Sequence, residues 1–211
     1  ELTHMAEICA RYDIPICADE IHADIVYSGH RHTPIATLSP EISQNTVTLM
    51  APSKTFNIPG LEFSFAIIPN PDLRAKFNKT RRGLVGGLNL LGMTAAKAAY
   101  TEGQPWLTEA LAYLEENRNY LVEFFKARLP EAKMSIPEGT YLAWIDLSAY
   151  NLQPSPGKYL LENARVGLNE GTDFGKAGEG FVRLNFACPR QTLLEGLNRM
   201  QRALESISAK T

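Results

Sequence analysis

Residues 46–60 read TVTLMAPSKTFNIPG. Thr46–Met50 is an unbroken β-prone run without polar alternation, the pattern of a strand buried on both faces of a parallel sheet. Ala51-Pro52 ends it, and Pro59-Gly60 closes the segment with a turn signal. Between them stands Lys54, flanked by Ser53 and Thr55. A hydrated cation just past a buried strand either reaches back to water or does chemistry. In open α/β sheets ligands bind beyond the carboxyl ends of the strands, so this stretch decides both the fold class and where to look.

Upstream, Pro15-Ile16-Cys17-Ala18 is a second apolar run, ending at Asp19-Glu20. Downstream, Glu62–Ile68 (EFSFAII) is a third, closed by Pro69-Asn70-Pro71-Asp72. Asp72 reads as the N-cap of a helix reaching Arg82. Glycines 83, 86 and 87 break that helix, and another follows from about Leu88 to Tyr100. Asp19 and Lys54 thus stand at two strand ends that can share one crevice. Taken singly, a turn aspartate and a loop lysine look the same, and spacing alone does not decide.

Residues 1–12 carry an apolar stripe at Leu2, Met5, Ile8 and Cys9, the spacing of a helix face. A helix under way at Glu1 predicts that an upstream part of the protein precedes it. Gly103-Gln104-Pro105 marks a boundary. Leu107, Leu111, Leu114, Leu121, Val122 and Phe125 then give a long helix over 106–129. Strand-like segments follow at Thr140–Leu147, Val166–Asn169 and Phe181–Ala187, with a short helix over 158–165 and a last amphipathic helix over 192–207. The order predicts an α/β part, residues 1–104, followed by a smaller α+β part, residues 105–211.

With 211 residues, 45% hydrophobic and 21% charged, the chain has the composition of a soluble globular protein. A formal net charge of −2 gives no reason to expect nucleic acid or an anionic membrane as partner. Apolar stretches are broken well short of membrane-spanning length, and no basic segment followed by an apolar one opens the chain. The three cysteines, Cys9, Cys17 and Cys188, lack CxxC spacing and read as reduced, partly buried thiols of a cytoplasmic protein.

Arg183 lies within FVRLNFACPR, flanked by apolar residues. A guanidinium inside a strand needs an anionic partner, either an internal carboxylate or a substrate carboxylate. The preceding glycine-rich segment, Gly167–Gly180, permits positive φ and close approach of backbone to a ligand. It has neither Walker nor GxGxxG spacing. His22, His30 and His32 cluster in sequence but without a known metal-ligand spacing.

The segments DEIHADIVYSGHRH, APSKTFNIPGLEFSFAIIPNP and FVRLNFACPR, in this order, resemble the class I and II pyridoxal-phosphate aminotransferases. More narrowly they resemble the MalY/PatB branch of cystathionine β-lyases and cysteine C–S lyases. The resemblance spans nearly the whole chain and places it in the second half of such a protein. It implies a fold-type I architecture: part of a large, mainly parallel-sheet domain over 1–104, and a small α+β domain over 105–211. Lys54 is similar to the lysine that carries pyridoxal 5'-phosphate and then acts as base at Cα. Asp19 is similar to the aspartate that pairs with the pyridine nitrogen and keeps it protonated. His22 stands where aminotransferases carry a tyrosine near the cofactor's phenolic oxygen. Ser53 is a candidate phosphate ligand, and Arg183 resembles the arginine that forks onto the substrate carboxylate.

Two departures matter. The position eight residues after the lysine, an arginine in aminotransferases, is Glu62, and the serine expected three residues before it is Ala51. Both lean towards α,β-elimination from a cysteine S-conjugate rather than transamination. The alternatives are an aminotransferase, or a truncated non-catalytic fragment or partner-binding module. The resemblance further implies a small amino-acid substrate, no nucleic-acid or membrane partner, and a homodimer in the full-length form. Tyr27, Phe56 and Tyr141 are candidates for the pocket wall and equally for the core.

Overall fold

The computed structural model describes residues 1–208. The chain divides into two compact units, Glu1–Glu109 and Ala110–Thr211, so the division falls a few residues beyond the 104/105 boundary expected from Gly103-Gln104-Pro105.

The first unit opens with α1 (Leu2–Arg11) and β1 (Ile16–Asp19), followed by α2 (Pro40–Gln44), β2 (Thr46–Met50) and the one-turn α3 (Pro52–Thr55). Then come β3 (Phe65–Ile67), α4 (Pro71–Arg81) and α5 (Leu90–Glu102). The sheet order is β1-β2-β3. β1 and β2 run parallel, with Ile16 opposite Thr46 and Asp19 opposite Leu49. β3 returns antiparallel, pairing Phe65 with Met50. β3 is shorter than the apolar run 62–68 because β2 ends at Met50 and offers no partner beyond it; Glu62 instead takes a left-handed conformation, φ 49°.

Helix starts follow local polar chemistry. The α4 cap is Asn70 rather than Asp72: the Asn70 side chain accepts from the N–H groups of Asp72 and Leu73, and Pro71 fills the first turn, where no donor is required. Asn89 caps α5 in the same way, accepting from Leu91 and Gly92. The core of this unit includes Ala6, Ile25, Tyr27, Ile35, Val47, Ile68 and Ala96. Tyr27 is therefore a core residue of this unit.

The division between units falls inside α6 (Gln104–Arg128). The second unit continues with β4 (Lys133–Met134), β5 (Leu142–Asp146), α7 (Pro156–Ala164), β6 (Asn169–Glu170), β7 (Phe181–Asn185) and α8 (Arg190–Ser208). The order β4-β5-β7-β6 makes a wholly antiparallel sheet. One face of it carries the core: Ala143 and Ile145 of β5 and Val182 of β7 are buried, with Leu121, Leu160, Leu197, Met200 and Leu204 from the helices. Alternation sends Trp144 and Arg183 to the other face. Cys9 and Cys188 are half-buried, and Cys17 is exposed rather than partly buried. Among the described residues, no helix is long and apolar enough to cross a membrane.

Candidate active site

Two parallel neighbours end at the same edge of a sheet, and here both ends carry reactive side chains. β1 ends at Asp19. β2 ends at Met50 and the chain turns at once into α3, which bears Ser53 and Lys54. Pro52 and Thr55 are the buried residues of that turn, while Ser53 and Lys54 are half-buried.

The segment after β1 is folded back on itself by local bonds. Asp19 is exposed, and its Oδ1 accepts weakly from Ile21 N–H at 3.4 Å. The carbonyl of His22, a half-buried residue, accepts from Ile25 N–H at 3.0 Å. Glu20 is buried; its carboxylate accepts from Ile35 N–H at 3.1 Å and contacts His32 Nε2 at 3.3 Å. His32 is thereby tied to the residue that follows Asp19.

One bond ties this segment to the lysine turn. Thr55 Oγ1 donates to Asp24 Oδ2 at 3.0 Å. The residue next to Lys54 is thus fastened to a residue two beyond His22. Burial, and then the Asp24 charge, push the Tyr100 phenol above its ordinary value, so it stays protonated at neutral pH. Sequence reasoning passed over Asp24, Thr55 and Glu20. Aspartate and glutamate within DEIHAD gave a visible signal, but their partners lie 31 and 15 residues away and no periodicity links them.

A cavity of about 600 Å³ opens beside Asp19, with Leu49 and Phe65 from the sheet and Glu62, Arg74 and Arg81 around it. Lys54, His22 and Ser53 do not line that cavity. Asp19 therefore faces free volume on one side, and Lys54 stands at the same sheet edge outside it. Arg74 also donates to the Ile68 carbonyl at 2.8 Å, which anchors the start of α4.

Arg183 belongs to the second unit. Its Nε and Nη2 donate to Asn169 Oδ1 at 3.4 and 3.2 Å, and its Cζ lies 4.3 Å from the centroid of the Phe174 ring. Phe174 meets Trp144 edge-on, and Trp144 stacks on Phe181 with ring centroids 5.4 Å apart. Of the two partners the sequence left open for Arg183, the internal carboxylate is not found: among the described residues its acceptor is a neutral amide. The glycines of 167–180 serve partly a different end from ligand approach. A Cβ on Gly171 would lie 2.1 Å from the Gly178 carbonyl oxygen, so backbone meets backbone there.

Comparison with known proteins places the chain in a family. The model of the family described as aminotransferase class I and II matches residues 1–200. The chain is 44% identical over 206 residues to cystathionine beta-lyase PatB of Bacillus subtilis, covering 97% of this chain and 53% of that protein. Among solved structures, cystalysin from Treponema denticola, which contains a pyridoxal 5'-phosphate cofactor, is 35% identical with a TM-score of 0.93, covering 98% of this chain and 53% of that one. A PLP-bound C–S lyase from Staphylococcus hominis is 39% identical with a TM-score of 0.90, over 97% and 53%. The chain thus spans about half the length of the relatives it matches. The chain belongs to the class I and II aminotransferase family.

Proposed function

We propose that this chain contributes to a pyridoxal 5'-phosphate-dependent C–S lyase that eliminates the thiol from cysteine S-conjugates such as cystathionine. The products are pyruvate, ammonia and a thiol. The observation that carries the reading is the pairing of Asp19 and Lys54 at the ends of adjacent parallel strands, with the two following segments fastened by Thr55 and Asp24. PatB, cystalysin and the Staphylococcus hominis lyase support it by name and by similarity over nearly the whole chain.

The residues present suit the cofactor by their chemistry. A carboxylate facing free volume matches a pyridine nitrogen, and a primary amine on a constrained turn matches an aldehyde. Ser53, at the same turn, would offer a hydroxyl to the cofactor's phosphate, and His22, on the segment after β1, would add an imidazole to the cofactor's surroundings. When bound, the cofactor supplies an electron sink for the carbanion at the substrate Cα.

Each side chain then has a defined task. Asp19 holds a proton on the pyridine nitrogen by charge. Lys54 Nζ accepts the Cα proton, and its short helix limits the directions from which it does so. Arg183 orients the substrate by its carboxylate through a fork that lysine cannot reproduce. We further assign 1–104 to the cofactor-binding domain and 105–211 to the small domain. A cytoplasmic location and a homodimer complete the reading, the homodimer supported by the exposed apolar side chains of 84–91.

The test uses the full-length protein with L-cystathionine. Pyruvate and free thiol without any added keto acid support the lyase. Product formed only with a second keto acid makes it an aminotransferase instead. Borohydride reduction followed by peptide mapping is expected to place the pyridoxyl adduct on Lys54; an adduct elsewhere overturns the site.

A further inference from the structure

We propose that Asn169 is a positioning residue that orients Arg183 while leaving its positive charge uncompensated for the carboxylate of the substrate. The inference rests on the reading of Arg183 given above and deepens it. Asn169 and Arg183 are directly opposite in the β6–β7 register, and Trp144 is opposite Arg183 in the β5–β7 register. The three form one row across the face of the sheet turned away from the core.

Within that row the guanidinium is held on two sides. Its Nε–H and one Nη2–H go to Asn169 Oδ1, and Phe174 covers a ring-like face. Of five N–H donors, three are left pointing away from Asn169, among them both hydrogens of Nη1. A carboxylate takes two parallel donors, so the free edge keeps the fork it requires. The chemistry of the acceptor matters as much as its place. An aspartate at 169 would hold the same edge and also neutralise the cation. An amide oxygen holds it without doing so.

The acidic side chain closest in sequence to Asn169 is engaged elsewhere. Glu170, the next residue, has its Oε2 committed to Ser155 Oγ at 2.8 Å and Gly157 N–H at 2.9 Å, at the start of α7. Among the described residues Arg183 makes no ion pair. Phe174, 50% exposed, leaves its other surface open beside the cation. The group this arrangement takes is a single carboxylate, such as the α-carboxylate of an amino acid, met by the free edge of the guanidinium.

The experiment compares Asn169→Asp, Asn169→Ala, Asn169→Ser and Arg183→Lys in the full-length holoenzyme, with L-cystathionine as probe. KM and kcat are measured, and urea midpoints report folding. Two explanations order the variants oppositely. If Asn169 only supports the strand pair, aspartate, which keeps an acceptor, does less harm than alanine. If it spares the charge, Asn169→Asp raises KM about tenfold or more and exceeds Asn169→Ala, with a urea midpoint no lower than that of the parent. Asn169→Ser, which retains a neutral oxygen, is then expected to lie below alanine in KM, so the test survives even if the aspartate variant does not fold. A KM for Asn169→Ala equal to or above that of Asn169→Asp overturns the proposal, as does a serine variant no better than alanine. An Arg183→Lys variant with unchanged KM overturns the underlying reading of Arg183 itself. Raised KM in Arg183→Lys together with unaltered KM in all three Asn169 variants removes the positioning role alone.

Discussion

Thr55 is 3% exposed, and its hydroxyl spans to Asp24 from the residue beside Lys54. Replacing it by valine keeps the volume and removes the donor, so a carboxylate oxygen loses its partner. The expected loss is about 1–2 kcal/mol of stability, read from urea unfolding, with Thr55→Ser retaining most of it. Asp24→Asn keeps an acceptor and is expected to unfold near the parent, but the Tyr100 phenol should titrate closer to its ordinary value once the charge is gone. A Tyr100 titration unmoved by Asp24→Asn would leave burial as the whole cause. A second carboxylate gives a pH prediction. The Ser148 hydroxyl and then its N–H hold Asp146 below the usual carboxylate range, while the little burial it has pushes the other way. Its folded value is lowered, so its contribution is present above the ordinary aspartate value of about 3.9 and is lost as pH falls through the folded value. Asp146→Asn should therefore flatten the fall of the urea midpoint between about pH 5 and pH 3; parallel curves for the two proteins would refute it. The placement of Asp19 and Lys54 at strand ends and of Arg183 within a strand was legible in the sequence, because each is an ionisable side chain at the end of, or within, an apolar run. Thr55 and Asn169 were not, since neutral polar residues stand out only once their partners are seen.

At the level of elements, apolar runs located the strands and neighbours set their lengths. Residues 46–50 were legible because turn residues bracket them, whereas β3 lost residues 62–64 for want of a partner past Met50. The strand read at 166–169 forms only at Asn169–Glu170, which pair with Arg183 and Val182 of β7. Glu170 then does what no local rule announces. Ser155 precedes α7 without a side-chain cap of its own, and the Glu170 carboxylate receives the Ser155 hydroxyl and the Gly157 N–H instead. A negative group at a helix N-terminus also meets the favourable end of the helix dipole. The loop that follows is held by touching backbones. A Cβ at Gly171 would sit 2.1 Å from the Gly178 carbonyl oxygen and 2.7 Å from that of Phe181, and neither is a side chain that can swing away. Gly171→Ala is therefore expected to cost about 2–3 kcal/mol or more, by overpacking at a site with no soft neighbour. Gly167→Ala serves as the control, because nothing lies within 4 Å of its built Cβ. Equal urea midpoints for the two variants would show that the loop gives way.

For the molecule as a whole, the surface of residues 84–91 is the feature that composition conceals. Mean content is ordinary, yet Leu84 is 79% exposed, Leu88 74% and Leu91 69%, with Val85 and Leu90 nearly as open. Apolar surface this concentrated marks an interaction site rather than a solvated face. The sequence showed the leucines but read those from Leu88 onward as a helix, whose apolar side would normally turn inward. Instead α5 starts at Leu90, and its Gly92 lies so near the turn Pro59–Leu61, before β3, that a Cβ would stand 2.4 Å from the Leu61 carbonyl oxygen. The helix thus rests on its glycine and alanine side, with Gly92 and Ala96 buried and the large leucines left outside. If these leucines are covered by a second copy in the proposed homodimer, the full-length protein should sediment as a dimer at micromolar concentration. Introducing Leu88→Glu with Leu91→Glu should then move it towards the monomer, since two charges would have to be desolvated in each copy on association. A urea midpoint for the double variant well below that of the parent would show that these leucines are covered within the full-length chain and not between two copies. Unchanged sedimentation of the double variant would assign this surface to some contact other than self-association.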